Sequence, residues 1–537
     1  MAGKSLREPA TGREIAEIRE DQVSALDEAV ATARSQQEAW AEMPLRARAR
    51  IIRRLSRVIS ERQDELATVI SRCTGKTRTE AIAGDVAPIG MGADWYAKAA
   101  CRYLKPKRIT RGHFFFFLIK RSRIYREPLG VIGIISPWNY PFSIPMHEVI
   151  MALVAGNGVV LKVATQVQPV GDAIVSLLDQ IGIPSGLVGL VSLPGKTAGE
   201  AMLASGIDKL MFTGSVKVGK ELAAGAARRL LPVGLELGGN DPMVVLSDAP
   251  LHRAVRGALW AGLSNAGQSC GGVERVIVEA PVYDRFREML AEAVAQLRVG
   301  ADSDHDSDLG SLTSARQLES VKEQVADAIR KGATIVAQSG APDSSDDTFF
   351  HPAMLLEQVD NTMDVIRYET FGPILTLQKA DDEEDAIRIA NDTDLGLSAS
   401  VWSISFKRAK RVAARINAGS IGINDHLMMH GMAETPWGGN KDSSVGRTHG
   451  QFGLESMTKP KVVVAGRLPR SANELWWFPD SPRAYEALTS MLRFLYGPGR
   501  LRAAWKLLPA FIAGIIRAPR LGGKARPEKA GKESPGA

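Results

Sequence analysis

The stretch GVIGIISPWNYPFSIPMHEVIMALVAGNGVVLKV, residues 130–163, contains the pattern that decides the fold. Short apolar runs at 130–135 and 158–163 flank a longer apolar segment at 145–155. Short runs rich in Val and Ile are typical of strands buried on both faces, and the longer segment has the length of a helix. The stretch therefore predicts two parallel strands joined by a helix.

The same alternation continues towards the C-terminus, with a second α/β block from about Leu237. Upstream, helical periodicity covers 22–70 and 76–104, and 113–130 is predicted to be extended. Strands that alternate with helices in this way indicate a doubly wound, Rossmann-type α/β fold. The further predicted strands are 186–192, 209–214, 242–248 and 275–280, and the further predicted helices are 170–181, 197–204, 216–230 and 249–266.

Composition and cysteine content limit the classes of protein to which the chain can belong. With 537 residues, 45% of them hydrophobic, the chain is long enough for several domains with large cores. Its three cysteines, Cys73, Cys101 and Cys270, are too few and too scattered for a disulfide framework or a structural zinc site, and we predict no metal site. The N-terminus lacks the apolar core of a signal peptide, so we expect a cytoplasmic, reducing compartment in which thiols remain reactive.

The net charge of +7 is concentrated at one end of the chain. Residues 466–537 contain 13 Lys and Arg against 5 Asp and Glu, a balance of +8, so the first 465 residues sum to −1. A nucleic-acid-binding fold would carry its basic residues on the main body. Nucleic acid is therefore not expected as a partner.

Two glycine-containing segments imitate phosphate-binding P-loops. GSVKVGKE, residues 214–221, ends in Glu221 where a P-loop needs Ser or Thr, and LPGKT, residues 193–197, has Leu190 in place of the first glycine. We reject both as P-loops. GSVKVG nevertheless follows a predicted strand and opens a predicted helix, so its amides either bind an anion or form an ordinary turn.

NAGQSC, residues 265–270, raises the question of whether Cys270 is reactive or merely buried. A lone cysteine is more often an inert core residue. Cys270, however, lies in a glycine-rich loop after a predicted helix, and Asn139 and Glu236 follow predicted strands. Because ligands bind at the carboxyl edge of a parallel sheet, we expect Asn139 and Glu236 to meet there. A nucleophile, an amide donor and a base are the groups that covalent catalysis on a carbonyl requires.

Seven segments, in order between about residues 10 and 465, resemble the aldehyde dehydrogenase superfamily. The resemblance implies a homodimer or homotetramer that acts on a small-molecule aldehyde. The segments are PLGVIGIISPWNYP, ALVAGNGVVLKVAT, KLMFTGSVKVG, LELGG, NAGQSC, YETFGP and PWGGNKDSSVGRTHGQFGL. The implied domains are a dinucleotide-binding domain at 1–104 and 128–237, a catalytic domain at 238–448, oligomerisation strands at 105–127 and 449–465, and a basic aromatic extension with a disordered end at 466–537.

The family pattern also implies catalytic roles. Cys270 resembles the nucleophile that forms a thiohemiacetal and, after hydride loss, a thioester; the Asn139 side chain and the Cys270 amide would stabilise the oxyanion. Glu236 resembles the base that activates water for hydrolysis of the thioester. The presence of Glu236 favours water over coenzyme A as the acyl acceptor. A catalytically silent membrane scaffold on this fold is the alternative from a different class, and the intact catalytic residues speak against it.

A binding site for NAD or NADP follows from the same resemblance. The family often has Glu where this chain has Thr165, and that carboxylate repels the 2′-phosphate of NADP. Thr165 removes the repulsion and Lys217 adds positive charge, so we expect NAD with NADP tolerated; the alternative is that Thr165 only hydrogen-bonds the ribose and NAD is preferred. The implied cofactor residues are Ser136, Trp138, Lys162, Thr165, Gly195, Gly214, Ser215, Gly219, Leu237, Glu369 and Phe371.

Two further segments suggest contact with a membrane or with another subunit. The longest apolar run of the extension, 507–516, is shorter than the ~20 residues that span a bilayer. The tryptophans and arginines of the extension, within 475–520, fit a helix that lies on the membrane surface. The alternative is that the extension docks on its own catalytic domain or on a partner subunit. Phe114–Phe117 fall where the family has its oligomerisation hairpin. Peripheral attachment to the inner face of a membrane would suit a hydrophobic, long-chain aldehyde; a semialdehyde is the other substrate class.

Overall fold

The computed structural model describes residues 5–109, 120–302, 304–466, 477–478, 482–498 and 500–505. The expectations for Phe114–Phe117, for the apolar run 507–516 and for the C-terminal end lie outside the described residues. The chain divides into two compact units, one within residues 1–106 and 125–461 and the other within 107–124 and 462–537.

The described strands form sheets of two, seven, six and three strands. They are β1 (Ser5–Arg7), β2 (Glu14–Glu17), β3 (Lys107–Arg108), β4 (Lys120–Pro128), β5 (Val131–Ile135), β6 (Gly158–Lys162), β7 (Val188–Leu190), β8 (Lys209–Thr213), β9 (Val233–Glu236), β10 (Asp241–Val245), β11 (Val273–Glu279), β12 (Thr334–Gln338), β13 (Met354–Glu357), β14 (Ile374–Ala380), β15 (Ser398–Trp402), β16 (Ser420–Ile423), β17 (Ser444–Val445) and β18 (Thr458–Gly466).

The predicted helices are present, most of them with ends shifted by a few residues. The periodic stretch 22–70 forms three consecutive helices, and a π-helical turn, Ile82–Val86, interrupts the helical stretch that follows. The α-helices are Val23–Glu42, Leu45–Glu61, Gln63–Thr74, Arg78–Ala81, Ala87–Tyr103, Ser143–Ala155, Gln168–Ile181, Gly195–Ala204, Val216–Ala227, Leu251–Leu263, Ala280–Ala295, Ala315–Arg330, Asp364–Arg367, Glu383–Asn391, Phe406–Ala413, Met428–Gly431, Gly450–Ser456 and Pro482–Tyr496.

The six-stranded sheet has the order β17-β9-β8-β5-β6-β7. Its strands are parallel except for β17, which pairs antiparallel with β9. β5 and β6 pair in parallel through Ile132 and Val159, and every residue of both strands is buried. Helices that cover both faces of a parallel sheet explain why these strands are apolar throughout. The prediction of a parallel, doubly wound α/β fold is confirmed.

The seven-stranded sheet has the order β12-β13-β14-β11-β10-β15-β16. It is parallel except for β12, which pairs antiparallel with β13. Two sheets in one compact unit bring the loops that follow β5 and β9 close to the loop that precedes β11. The predicted catalytic residues lie in or next to these loops: Asn139 after β5, Glu236 at the end of β9 and Cys270 before β11.

Two details differ from the expected domain bounds. The segment 449–465, expected to be strand, begins with the helix Gly450–Ser456 and becomes extended only in β18. β17 lies within 238–448 and nevertheless joins the first sheet, where the Leu237 amide donates to the Ser443 carbonyl oxygen at 2.8 Å. The edge of β9 offers free backbone groups to any extended segment, and a local sequence pattern does not show which segment takes them.

The smaller unit contains helical and extended segments. β4 lies between β18 and β3 in the three-stranded sheet. In the helix Pro482–Tyr496, Ala487 and Ser490 are buried, whereas Tyr485, Leu492 and Tyr496 are exposed. Over the part of the chain that the structure describes, we find no helix with the length and apolar character needed to cross a bilayer.

Candidate active site

The three predicted catalytic residues meet at the carboxyl ends of the first sheet. Asn139 follows β5, Glu236 is the last residue of β9, and Cys270 lies in the loop before β11. All three line one cavity of about 260 Å³, which we call the cofactor-side cavity. Its wall also contains Pro137, Trp138, Thr213, Gly214, Ser215, Leu237, Gly238, Gln317, Ser320, Glu369, Thr370 and Phe371. Six predicted cofactor residues, Trp138, Gly214, Ser215, Leu237, Glu369 and Phe371, are therefore brought together with the catalytic residues.

Three other predicted cofactor residues lie at or just after the ends of β5 and β6. The Ser136 amide donates to the Lys162 carbonyl oxygen at 2.9 Å, so the two residues are neighbours. Lys162 is 5% exposed, burial lowers the pKa of its ammonium group, and that group makes no hydrogen bond to any residue that the structure describes. Thr165 begins a short 3-10 turn after β6. An ammonium group without a protein partner is available to a polar ligand.

The remaining two, Gly219 and Gly195, lie on neighbouring helices. Gly219 approaches the first sheet so closely that a Cβ atom would come within 2.4 Å of the Leu237 side chain. Gly195 begins the helix Gly195–Ala204 and lines a groove between that helix and Val216–Ala227. The structure therefore does not place Gly195 or Gly219 in the wall of the cofactor-side cavity.

The loop that carries Cys270 has an unusual backbone. Asn265, Ala266 and Gly267 have φ values of 57°, 52° and 72°, in the left-handed region that disfavours side chains. At Gly267 a Cβ atom would lie 1.9 Å from the Gly372 carbonyl oxygen, so only glycine fits. The Gln268 side chain closes the loop by donating to the Asn265 carbonyl oxygen at 2.9 Å. Strain held by such contacts is typical of functional loops.

Asn139 is fixed by hydrogen bonds on both its backbone and its side chain. Its carbonyl oxygen accepts from Lys76 Nζ at 2.6 Å and from Asn265 Nδ2 at 3.0 Å. Its side-chain amide donates to the Gln268 carbonyl oxygen at 3.1 Å, which leaves the second amide hydrogen free for a ligand. Lys76 is held in turn by a fully buried ion pair with Asp85, 2.8 Å long. The amide is thus held in place beside the loop of Cys270.

Glu236 has the environment of a base kept away from solvent. It is 5% exposed, and its Oε1 accepts a long hydrogen bond from Ser444 Oγ at 3.4 Å. Its Oε2 is buried without a partner among the described residues. Burial, and then the charge of Glu148, raise the pKa of Glu236 well above its usual range. A carboxylate with a raised pKa and a free oxygen can accept a proton from a nearby thiol or water.

Cys270 is partly accessible from the cavity. Burial, and then the carboxylates of Glu369, Asp241 and Glu236, raise the pKa of its thiol. The thiol form is therefore stable until a base accepts its proton.

The start of the helix Val216–Ala227 is suited to bind an anion. Ser215 is its N-cap residue, and no side chain caps the helix. The first amides of a helix carry partial positive charge and lack intrahelical partners. Gly214 and Ser215 both line the cofactor-side cavity, so an anionic group of a ligand there can reach these amides. The residues present fit a dinucleotide.

The YETFGP turn is held by a buried carboxylate that the sequence analysis missed. The amides of Thr370 and Phe371 donate to Glu274, each at 2.9 Å. Phe371 has a φ of 53°, and its ring packs edge-on against Trp138 with centroids 5.6 Å apart. Glu369 accepts from the Gly239 amide at 3.3 Å, and burial and then the charge of Glu274 raise its pKa. A ligand hydroxyl can donate to this carboxylate.

A second cavity, of about 70 Å³, opens on another side of Cys270, and we call it the aldehyde-side cavity. Cys270 is the one described residue that lines both cavities. None of the described wall residues is Lys or Arg. The wall is formed by Glu80, Ala83, Gly84, Tyr140, Trp260, Ser264, Asn265, Ser269, Cys270, Gly271, Leu427, Met428, His430, Gly431 and Trp437.

Sequence reasoning missed most of this wall and most of the groups that hold the site together. Lys76, Asp85 and Glu274 are single charged residues without a motif around them, and only their complete burial marks them. Trp260 and Trp437 come from segments far apart in the chain. For described residues, no cluster of His, Cys, Asp and Glu suited to a metal ion occurs.

The structure combines two doubly wound sheets, a thiol between two cavities and an uncapped helix start. These features are typical of a dinucleotide-dependent oxidoreductase that binds its substrate covalently. The model of the aldehyde dehydrogenase family matches residues 3–463. The chain belongs to this family and is an NAD(P)-dependent aldehyde dehydrogenase. The resemblance seen in the sequence is confirmed, and the scaffold and coenzyme A alternatives are not favoured.

Named relatives are similar along most of their length. The 4,4′-diapolycopene aldehyde oxidase of a Methylomonas species is 39% identical over 460 residues, 85% of this chain and 84% of the relative. A Mycolicibacterium smegmatis protein named for succinate-semialdehyde dehydrogenase activity with NADP+ is 35% identical over 504 residues, 93% of this chain and 95% of the relative. The NAD+ complex of an aldehyde dehydrogenase from Bacillus cereus has a TM-score of 0.81 and 31% identity, and covers 87% of this chain and 93% of its own.

Proposed function

We propose that Cys270 is the nucleophile, Glu236 the base and Asn139 the oxyanion donor of this aldehyde dehydrogenase. The observation that carries the proposal is that Cys270 lines both the cofactor-side and the aldehyde-side cavity. An aldehyde in one cavity and a dinucleotide in the other would therefore both reach its sulfur. Covalent oxidation of an aldehyde needs this arrangement of three reactants.

Proton transfer begins at Cys270. Glu236 accepts the thiol proton, and the thiolate forms a bond to the aldehyde carbon. The resulting oxyanion accepts hydrogen bonds from the free Asn139 N–H and from the Cys270 amide; one such donor contributes ~3–4 kcal/mol to lowering the barrier. NAD(P)+ held in the cofactor-side cavity would supply the hydride acceptor; as the oxyanion re-forms the carbonyl group, loss of the hydride from the thiohemiacetal carbon would leave an acyl thioester on Cys270.

Glu236 acts a second time in hydrolysis. After it has returned its first proton to solvent, its free oxygen accepts a proton from a water molecule that attacks the thioester carbon. The carbon–sulfur bond breaks, and the carboxylic acid and the thiolate separate.

For the cofactor, we assign the uncapped start of the helix Val216–Ala227 to the pyrophosphate and Lys162 to the adenosine ribose. Glu369 would accept from the nicotinamide ribose, with Phe371 and Trp138 packed beside it. Thr165 carries no charge that would repel a 2′-phosphate. This supports use of both NAD and NADP, with NAD as the default.

The test is the reduced-nicotinamide absorbance with a panel of aldehydes and each cofactor. Cys270→Ala should lose at least about 10⁴-fold in turnover, because the covalent route is closed. Cys101→Ala is the matched control, since Cys101 is also a partly accessible free cysteine, and it should keep wild-type rates. Equal rates for Cys270→Ala and Cys101→Ala would overturn the assignment.

We further propose an apolar substrate next to the carbonyl group. The described wall of the aldehyde-side cavity contains Tyr140, Trp260, Trp437 and Leu427 but no cation that could pair with a carboxylate close to the aldehyde. A relative named for a long apolar aldehyde supports this class. Octanal should therefore have a higher kcat/KM than succinate semialdehyde. Succinate semialdehyde is the comparison because the Mycolicibacterium smegmatis relative is named for it. A higher kcat/KM for succinate semialdehyde would reject the apolar class.

We also propose that the enzyme is a homo-oligomer that binds membrane surfaces. β18 is an edge strand whose Val462, Val463 and Val464 are exposed, which suits pairing with a second subunit. In the helix Pro482–Tyr496, the exposed Tyr485, Leu492 and Tyr496 recur every turn or two on one side, and the extension is basic. Exposed aromatic residues beside basic ones favour the surface of an anionic bilayer on the cytoplasmic side.

Sedimentation with anionic vesicles tests the membrane proposal. Wild type should co-sediment, and the full chain with Tyr485→Ser, Leu492→Ser and Tyr496→Ser should bind more weakly. Equal sedimentation would reject this helix as the contact. Sedimentation velocity of the same proteins reports the oligomeric state, and a monomeric wild type would reject the edge-strand proposal.

A further inference from the structure

A third cavity, of about 430 Å³, shares Trp260 with the aldehyde-side cavity, and we call it the outer cavity. Trp260 lines both this cavity and the aldehyde-side cavity, and it is 45% exposed. The family motifs quoted above contain none of the residues of the outer cavity. Its wall consists of His252, Arg253, Arg256, Gly257, Trp260, Trp402, Asn424, Asp425 and His426.

The sizes of the cavities show where a longer substrate must go. A cavity of ~150 Å³ holds one benzene molecule, so the 70 Å³ beside Cys270 have room for only about two or three carbon atoms beyond the carbonyl group. The rest of a longer aldehyde has to extend past Trp260. The outer cavity adjoins Trp260 as well and is large enough to hold that remainder.

The outer cavity carries the cations that the aldehyde-side cavity lacks. Arg256 makes no hydrogen bond or ion pair within the described residues. Arg253 is oriented by one hydrogen bond, from Nε to the Asn424 carbonyl oxygen at 3.2 Å, and keeps its other donors. Asp425 is the one described acidic residue in this wall, so two guanidinium groups face one carboxylate.

A buried polar atom in the same wall also lacks a partner. His426 is 2% exposed, and its Nε2 lies 2.9 Å from the Gly271 carbonyl oxygen, to which it donates. That donation leaves Nδ1 as an acceptor, buried and without a partner among the described residues. A buried acceptor of this kind usually binds water or a ligand. The wall therefore combines two cations, one buried acceptor and the rings of Trp260 and Trp402.

We propose that the outer cavity binds the anionic end of a long aldehyde whose middle is apolar. The aldehyde group reaches Cys270, the carbon chain passes Trp260, and a terminal carboxylate pairs with Arg256 and Arg253. Guanidinium groups bind carboxylates through paired hydrogen bonds, and the indole rings accommodate the adjoining chain. This proposal rests on the proposed function, because it takes the aldehyde-side cavity as the site of the carbonyl group.

The test compares two aldehydes of equal length, a ten-carbon ω-oxo carboxylate and its methyl ester. For Arg256→Ala, KM for the carboxylate should rise three- to tenfold, whereas KM for the ester should stay within about twofold, because a partly exposed ion pair has this modest strength. Asp425→Asn should change KM for the carboxylate in the opposite direction, because it removes a repulsive charge. Arg285→Ala, an exposed arginine on another helix, is the matched control and should change neither value.

Direct binding makes the result independent of turnover. Calorimetry with the Cys270→Ala enzyme should show tighter binding of the carboxylate than of the ester, and Arg256→Ala in that background should remove the difference. Equal effects of Arg256→Ala on both compounds, or no response to Asp425→Asn, would overturn the proposal. Failure of the proposed function would look different, because wild type would then oxidise neither aldehyde.

Discussion

The two cavities that meet at Cys270 are built in different ways. The cofactor-side cavity is formed by strand ends, glycines and an uncapped helix start, and its polar groups are carboxylates and amides. The aldehyde-side cavity is formed by side chains from segments that are far apart in the chain, aromatic and aliphatic ones together with polar ones such as Glu80 and His430. One side therefore depends on backbone geometry and the other on side-chain packing. The substitutions below test whether the functions divide in the same way, from the largest expected effect to the smallest.

After Cys270, Glu236 is the residue of the cofactor-side cavity whose loss should affect the steady-state rate most. Glu236→Gln keeps the shape of the side chain but cannot accept a proton from water, so thioester hydrolysis should slow by roughly 10²–10⁴-fold. Rapid-mixing absorbance should show at most one equivalent of reduced cofactor per site in a first turnover, formed more slowly than in wild type because Gln cannot accept the Cys270 thiol proton either. Normal steady-state turnover would show that another group activates the water.

The pH dependence of hydrolysis follows from the same carboxylate. Burial and the charge of Glu148 raise the pKa of Glu236, so its basic form accumulates only at a higher pH than for an ordinary carboxylate. The hydrolysis rate should therefore rise with pH through the raised pKa and level off above it. In Glu236→Gln this rising limb should disappear from single-turnover measurements of acyl-enzyme breakdown. If the rate still rose with pH in Glu236→Gln as it does in wild type, the titrating group would have to be a residue other than Glu236.

Asn139→Ala should have the next largest effect. It removes one oxyanion donor, so kcat should fall by roughly 10²–10³-fold, while the affinity for cofactor stays near that of wild type. Cofactor titration by protein fluorescence provides the control. Asn139 also fixes the loop through Gln268, and a large loss of cofactor affinity would show that its role is structural rather than catalytic.

These residues could be predicted from the sequence because they follow strand ends and glycine motifs. The alternation in residues 130–163 identifies β5 and β6, and parallel strands then place Asn139 and Glu236 at one edge. Lys76, which holds the Asn139 carbonyl oxygen, has no comparable signal, because nothing in the local sequence of a lysine indicates which distant carbonyl it contacts. Nor does a two-residue edge strand such as β17 leave a readable pattern.

The aldehyde-side cavity could not be predicted for a related reason. Tyr140 and Trp437 lie in two of the motifs that resemble the family, and Trp260 lies in none of them; nothing in the sequence indicates that the three rings meet. Their common function arises only when the two sheets pack together. The fold and the chemistry can be predicted because they leave short-range periodicity and motifs in the sequence. Substrate selection cannot, because it depends on contacts between segments that are far apart in the chain.

Thr165→Glu tests the cofactor preference. A carboxylate at this position should repel the 2′-phosphate of NADP, which amounts to ~1–2 kcal/mol or roughly a five- to thirtyfold loss in kcat/KM with NADP. The value with NAD should change little. Thr165→Gln has the same length without charge and serves as the control. An equal loss with NAD and NADP would mean that residue 165 acts through shape and not through charge.

Trp260→Ala should have the smallest effect and should be confined to the aldehyde. The ring forms part of the aldehyde-side wall but is 45% exposed, so its removal forfeits only part of the apolar contact of a full tryptophan, about 1 kcal/mol or fivefold in KM for octanal. Acetaldehyde is too short to reach the ring, and its KM should not change. Trp260→Phe keeps an aromatic wall and should restore most of the octanal affinity. Because Trp260 does not line the cofactor-side cavity, KM for NAD should be the same in all three proteins. A change in KM for NAD would show that the two cavities are coupled through the loop of Cys270 that they share. Cofactor binding and aldehyde binding would then not divide between backbone geometry and side-chain packing.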